Sequence, residues 1–184
     1  MAQAIIRDVN IEGIVTVVPP DIIEFDEEIK KFGISDNQAK RIKKSIGLNR
    51  RRVAREDLTA LDLAEKACNE LLVGLPDRKN SIGFIIFVTQ TPDHSQPCNA
   101  AILHGRLGCD ESIGSLDINL GCSGYVYGLF VAASILKMIN KDVLLVVGDT
   151  LSKITNPKDR STGILFGDAA SATIISERKG KKFF

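Results

Sequence analysis

From Ser112 to Ile139 the chain reads SIGSLDINLGCSGYVYGLFVAASILKMI, and no charge falls between Asp117 and Lys137. Ser115–Asn119 alternates as a strand does. Leu120-Gly121 breaks it, and a segment starting at Cys122-Ser123-Gly124 then carries apolar residues on every face as far as Ile139. A helix apolar all round is a core helix or a membrane span. Asn119, the three glycines and Ser134 interrupt the run, and a charged strand follows closely, so the pattern predicts a buried central helix.

Cys122 is therefore expected where a strand ends and that helix begins. The first N–H groups of a helix lack internal partners and carry partial positive charge. Thiols at such positions ionise more readily, and the thiolate is the nucleophile. Gly121 and Gly124 leave room for a substrate or a second backbone. The competing reading is a small cysteine that fills space in the core.

The length allows one domain with a real core, or one half of a larger unit. A net charge of +1 gives no global field toward nucleic acid or membrane. Cys68, Cys98, Cys109 and Cys122 show neither CxxC pairing nor zinc spacing, and His94 and His104 are the only histidines, so no metal site is expected. Free thiols point to a reducing compartment, the cytoplasm. The opening MAQAIIRDVNIEG has no basic stretch followed by an apolar one, so no signal peptide is read.

Along the chain, Ala4–Val18 predicts an opening strand with a bulge at Gly13. Glu24–Phe32 predicts a short helix closed by Gly33, and Ser35-Asp36 caps a second one ending at Gly47. Lys40–Arg55, KRIKKSIGLNRRRVAR, is the one dense basic stretch. It is either a solvated helix face or an anion patch; without interleaved aromatics, nucleic acid is the weaker reading. Asp57 or Thr59 caps a helix that buries Cys68, and Ile82–Val88 reads as a buried strand. The polar loop Thr89–Pro97 follows at that strand's carboxyl end, where open α/β sheets bind ligands. His94 in that loop reads as a solvated histidine.

After the helix Cys98–Leu107 and the central helix, Asp142–Val147 is another buried strand. Gly163–Ile175 reads as a last strand, bent at Gly167-Asp168. A buried Asp168 needs partners, and its expected role is to accept backbone hydrogen bonds and hold the loops, with direct chemistry as the alternative. The alternation implies a largely parallel sheet covered on both faces, with the last two strands antiparallel. No glycine-rich nucleotide fingerprint is present.

Asn119-Leu120-Gly121-Cys122-Ser123-Gly124-Tyr125 resembles the nucleophile segment of the β-ketoacyl-acyl-carrier-protein synthase III group of thiolase-fold condensing enzymes. Gly148-Asp149-Thr150-Leu151-Ser152, Asp159-Arg160-Ser161-Thr162 and Leu165-Phe166-Gly167-Asp168-Ala169 resemble a second signature, in order. Ile46-Gly47-Leu48 leading into Arg51-Arg52-Val53-Ala54 resembles a third. The resemblance implies a thiolase-like α/β half-domain over residues 1–184, a five-stranded mixed, mostly parallel sheet sandwiched between helices. This would be the N-terminal half of a condensing enzyme whose C-terminal half is absent.

The implied chemistry is a decarboxylating Claisen condensation through an acyl-Cys122 thioester, with acyl-coenzyme A or an acyl-carrier thioester as donor and malonyl-acyl-carrier-protein as acceptor. No cofactor is implied, since coenzyme A enters only with the substrate. Arg160 matches a position that contacts the coenzyme A nucleotide. The basic stretch containing Arg41, Lys44, Arg51 and Arg52 matches the region that receives phosphates and the acidic carrier protein. The family's adenine-sandwiching tryptophan and arginine fall on Arg41 and Ser45. Its catalytic histidine and asparagine belong to the second half and match neither His94 nor His104.

The expectation is thus an incomplete piece of a condensing enzyme, self-associating as a homodimer and unable to complete condensation by itself. Two alternatives stand beside it. One is a thiolase-fold synthase of a specialised lipid, polyketide or surface-polysaccharide pathway. The other is a non-catalytic half-domain that pairs with a catalytic subunit.

Overall fold

The computed structural model describes residues 4–177. Its centre is a five-stranded sheet in the order β1-β7-β6-β4-β5. The strands are β1 (Val9–Val17), β4 (Ile82–Val88), β5 (Gly114–Ile118), β6 (Asp142–Asp149) and β7 (Ala169–Glu177). β4 pairs in parallel with both β5 and β6. β7 runs antiparallel to β6 on one side and to β1 on the other, so β7 alone opposes the other four. The expected mixed, mostly parallel sheet is what forms. The expected irregularity in β1 is also present, as a register shift between Ile11 and Gly13.

One face of the sheet carries α3 (Ala60–Gly74) and α4 (Asn99–Arg106). Leu61, Ala64, Ala67, Cys68 and Leu71 of α3 pack there with Ile85, Phe87, Leu144 and Ile174. Thr59 and Asp62 fix the start of α3 through a reciprocal capping box. The other face carries α5 (Gly124–Ile139), packed on Ile86, Val88, Val143, Leu145 and Ile175. Small residues at helical spacing bring α5 close: a Cβ on Gly124 would lie 2.6 Å from Val88 Cγ1, and one on Gly128 would lie 2.8 Å from Leu145 Cδ1.

A smaller lobe is built from residues 21–54. β2 (Asp21–Glu24) pairs antiparallel with β3 (Arg50–Val53), a ribbon the sequence reading did not anticipate. Between them lie α1 (Phe25–Glu28), a short 3₁₀ turn closed by left-handed Gly33, and α2 (Asp36–Ile46). Ser35 and Gln38 form the capping box of α2, and Gly47 ends it in the left-handed region. Phe25, Ile29 and Ile164 form the lobe's core, so the segment after β6 packs onto it.

Three expectations change. The last strand starts at Ala169, because 163–168 forms turns and coil that bind the lobe to the sheet. Cys122 precedes α5 by two residues, in a turn closed by the Gly124 N–H to the Gly121 carbonyl at 2.7 Å. Finally, α5 is not covered on all sides: Val126 is 68% and Met138 81% exposed, with Tyr127 and Phe130 beside them. Its apolar run lacks the charged stripe of a surface helix, yet within residues 4–177 only one face is packed. No helix among the described residues is long and apolar enough to cross a membrane.

Candidate active site

The carboxyl ends of β4, β5 and β6 point the same way, and the turn after β5 raises Cys122 beside them. An open groove of about 310 Å³ runs there, lined by Cys122, Leu120, Tyr125, Val88 and Gly148, by Gly167, and by Ala169, Ala170 and Ser171 at the start of β7. Small residues keep it open: at Gly167 a Cβ would stand only 3.0 Å from the Arg52 carbonyl oxygen. Of the four free cysteines, Cys122 alone is exposed. Cys68 is fully buried, and burial pushes its thiol far above the ordinary range; Cys109 is pushed up by the same cause. That distribution separates a solvent-facing thiol at a groove from thiols that fill space.

Three carboxylates hold the loops that frame the groove. Asp149, at the end of β6, accepts at one oxygen from the Thr89 hydroxyl at 2.9 Å, the Gln90 N–H at 2.7 Å, and both donors of Thr91 at 3.0 and 3.1 Å. Asp117 in β5 accepts from the N–H groups of Asn99 and Ala100, both at 2.8 Å. It thereby satisfies orphan donors at the start of α4.

Asp168, 3% exposed, accepts from the Ala54 N–H at 2.7 Å and from the N–H and hydroxyl of Ser152. Its own N–H donates to the Arg52 carbonyl at 2.8 Å. The loop-holding role expected for Asp168 is thus realised. Asp117 and Asp149 were not singled out from sequence, although a lone carboxylate inside or ending an apolar strand run is the signal that would find them.

The basic residues divide into two kinds. Arg51 is turned inward. It makes a two-point pair with Glu28 at 2.6 and 3.1 Å and donates to the Phe166 carbonyl at 2.7 Å. Arg52 donates to the carbonyls of Pro19 and Pro20. Both are fasteners of the lobe. Arg41 and Lys44 lie exposed on α2, and Arg160 lies exposed on the 151–168 segment that packs against that lobe. Among the described residues none of these three is in an ion pair or hydrogen bond. Arg41 and Lys44 thus lie on the lobe and Arg160 on the segment whose Ile164 packs into it, and Asp168 joins that lobe to the groove of Cys122 beside Gly167.

His94 is exposed on its loop, and His104 bonds to the Asp110 carbonyl oxygen at 2.9 Å, away from the nucleophile's turn. Among the described residues no cluster of three metal-ligating side chains occurs.

A mixed five-stranded sheet between helix layers, with an exposed cysteine between a strand end and a close-packed apolar helix, defines the thiolase-like class of α/β proteins. Within it, the profile of the 3-oxoacyl-[acyl-carrier-protein (ACP)] synthase III family matches residues 116–184. The chain is 41% identical, over 91% of its length and 48% of the relative's, to a putative 3-oxoacyl-[acyl-carrier-protein] synthase 3 of Campylobacter jejuni. It is 35% identical, over 89% of its length and 50% of the relative's, to a β-ketoacyl-[acyl-carrier-protein] synthase III of Ehrlichia canis. A crystal structure of a 3-oxoacyl-(acyl-carrier protein) synthase from Burkholderia xenovorans superposes with a TM-score of 0.89 at 39% identity, covering 95% of this chain and 50% of that one. The chain is thus similar to 3-oxoacyl-[acyl-carrier-protein] synthase III proteins over most of its own length, and it spans about half the length of the curated relatives it matches.

Proposed function

We propose that this chain is the N-terminal half of a condensing enzyme that joins an acyl thioester to malonyl-acyl-carrier-protein through an acyl-Cys122 intermediate. The observation that carries this reading is the position of Cys122, the one exposed thiol, at the groove beside the strand ends. In the first step the Cys122 thiolate attacks the carbonyl carbon of the acyl donor. The tetrahedral intermediate expels the donor thiolate, which takes a proton, and the acyl group remains as a thioester.

In the second step malonyl-acyl-carrier-protein loses carbon dioxide. The resulting carbanion attacks the Cys122 thioester, a carbon–carbon bond forms, and the Cys122 thiolate leaves. Negative charge builds on the carbonyl oxygen in both steps, and the Cys122 N–H is suited to be one of its donors. Arg160, Arg41 and Lys44 are the free cations suited to phosphates of coenzyme A and to the acidic carrier protein. The reaction draws its carbon and its driving force from the substrates, so it needs no cofactor.

The remaining polar machinery is assigned to a second half. The exposed Val126, Phe130 and Met138 of α5, and the apolar hollow formed by Val9, Ile11, Leu129, Phe130 and Ile175, support such a covering partner. β5, at one edge of the sheet, supports pairing with a second copy in a homodimer. Four free thiols support a cytoplasmic setting. Because the chain contains no tryptophan and places Arg41 and Ser45 at the family's adenine-stacking positions, a thiolase-fold synthase of a specialised lipid or polyketide pathway is the second reading.

The test is condensation by the complete protein. The expected result is full loss in Cys122→Ala and none from residues 1–184 alone. Turnover by either would overturn the proposal.

A further inference from the structure

A second hollow lies at the other end of the sheet from Cys122. The parallel strands β5, β4 and β6 stand side by side, and the segments that lead into their amino ends enclose a cavity of about 370 Å³. Lys79 and Asn80 enter it from the turn before β4, Cys109 and Ile113 from the loop before β5, and Lys141 from the residue before β6. Among the described residues neither Lys79 nor Lys141 is in an ion pair or hydrogen bond. Arg78, next to Lys79, is by contrast engaged by Glu12 at 2.9 Å and Asp142 at 3.1 Å.

The stem of Lys141 lies across buried Gly83, where an added Cβ would stand 2.6 Å from Lys141 Cβ and 2.8 Å from its Cδ. Burial pushes the Cys109 thiol up and the charge of Lys79 pulls it partly back, so that charge reaches the cavity wall. The one carboxylate in the wall, Asp110, already accepts the Ser112 N–H at 2.9 Å, and the Lys141 charge bears on it as well. Two cations against one engaged carboxylate leave the hollow net positive, with the Asn80 amide as a further donor. A compact dianion can meet both ammonium groups at once. A phosphomonoester carries about −1.5 to −2 charges at pH 7, on three acceptor oxygens. A hollow of this size holds that group together with a small organic body beside Ile82 and Ile113. We propose that this cavity is a binding site for a small phosphomonoester, separate from the Cys122 groove, in which Lys79 and Lys141 hold the phosphate. The proposal does not depend on the acyl-Cys122 reading.

Cys109, in the wall, is the reporter. The experiment alkylates the complete protein with iodoacetamide in rising glycerol 3-phosphate, and in sodium chloride of matched ionic strength, and reads Cys109 by peptide mapping. The expected result is a saturable slowing at Cys109 that chloride does not reproduce. Lys79→Met and Lys141→Met, both at exposed positions, are each expected to raise the midpoint about tenfold, the size of one lost hydrogen bond to a charged group. Equilibrium dialysis of labelled glycerol 3-phosphate against wild type and the double variant gives a second reading that needs no thiol. Slowing that chloride reproduces, slowing or binding that survives in the double variant, or no saturable binding to wild type overturns the site. Equal protection by succinate, a dianion without phosphorus, overturns its assignment to phosphomonoesters.

Discussion

Asp168 takes two hydrogen bonds from Ser152, the N–H at 2.9 Å on one carboxylate oxygen and the hydroxyl at 2.5 Å on the other. The second oxygen also receives the Ala54 N–H. One buried carboxylate thus ties the segment after β6 to the end of β3, directly beside Gly167 in the wall of the groove. Asp168→Ala leaves these donors without an acceptor, and the expected loss is about 3 kcal/mol of stability, from more than one unsatisfied buried group. A urea titration of the complete protein measures it. A midpoint unchanged from wild type would mean that the clamp contributes nothing.

The pairing of Arg51 with Glu28, with side chains 8% and 12% exposed, separates two kinds of basic residue. Removing one partner of a buried pair strands the other, so Arg51→Ala is expected to cost about 3 kcal/mol. Arg41→Ala, at an exposed and unpaired position, is expected to change stability by less than about 0.5 kcal/mol. Its expected effect is on the donor's KM. Thermal unfolding and steady-state kinetics on both variants check the contrast.

The close seat of α5 makes a third prediction. At Gly124 an added methyl meets the stiff side chain of Val88 at 2.6 Å. Gly124→Ala is expected to destabilise by about 1–3 kcal/mol through overpacking and to move the turn that carries Cys122. Slower iodoacetamide alkylation together with a lower urea midpoint is the expected pair of results.

Acid stability offers a fourth. The Ser176 hydroxyl, acting against partial burial and aided by Asn10 and Arg78, holds the Glu12 carboxyl below its ordinary value. The folded state therefore binds this proton less readily than the unfolded one. Its contribution is fully present above the unfolded value and is lost as pH falls through the folded one. Glu12→Gln is expected to be less stable than wild type at pH 7, with the gap closing as pH falls below about 4.5. Urea midpoints across that range test it, and a constant gap would contradict it.

The sheet and its helices were legible because local rules and burial agree. Ile82–Val88 is an unbroken apolar run and becomes a central strand, and Ser35 and Thr59 start helices through the capping boxes their neighbours complete. Asp168 was legible because a carboxylate amid small and apolar residues must find donors. The β2–β3 ribbon was not, because its two short strands lie 25 residues apart and Arg50-Arg51-Arg52 reads as a charged surface. Only the fold reveals that Arg51 is turned inward to Glu28. The α5 run was read as buried, and its sequence fits that reading; the burial of its second face needs surface that residues 4–177 do not supply.

The most direct test of the central claim is peptide mapping of the complete protein after a brief incubation with an acyl-coenzyme A and an acid quench. The account predicts one acyl group per chain, on the peptide that contains Cys122, released by hydroxylamine as a thioester is. An acyl group on another residue, or none while Cys122 still reacts with iodoacetamide, would contradict it.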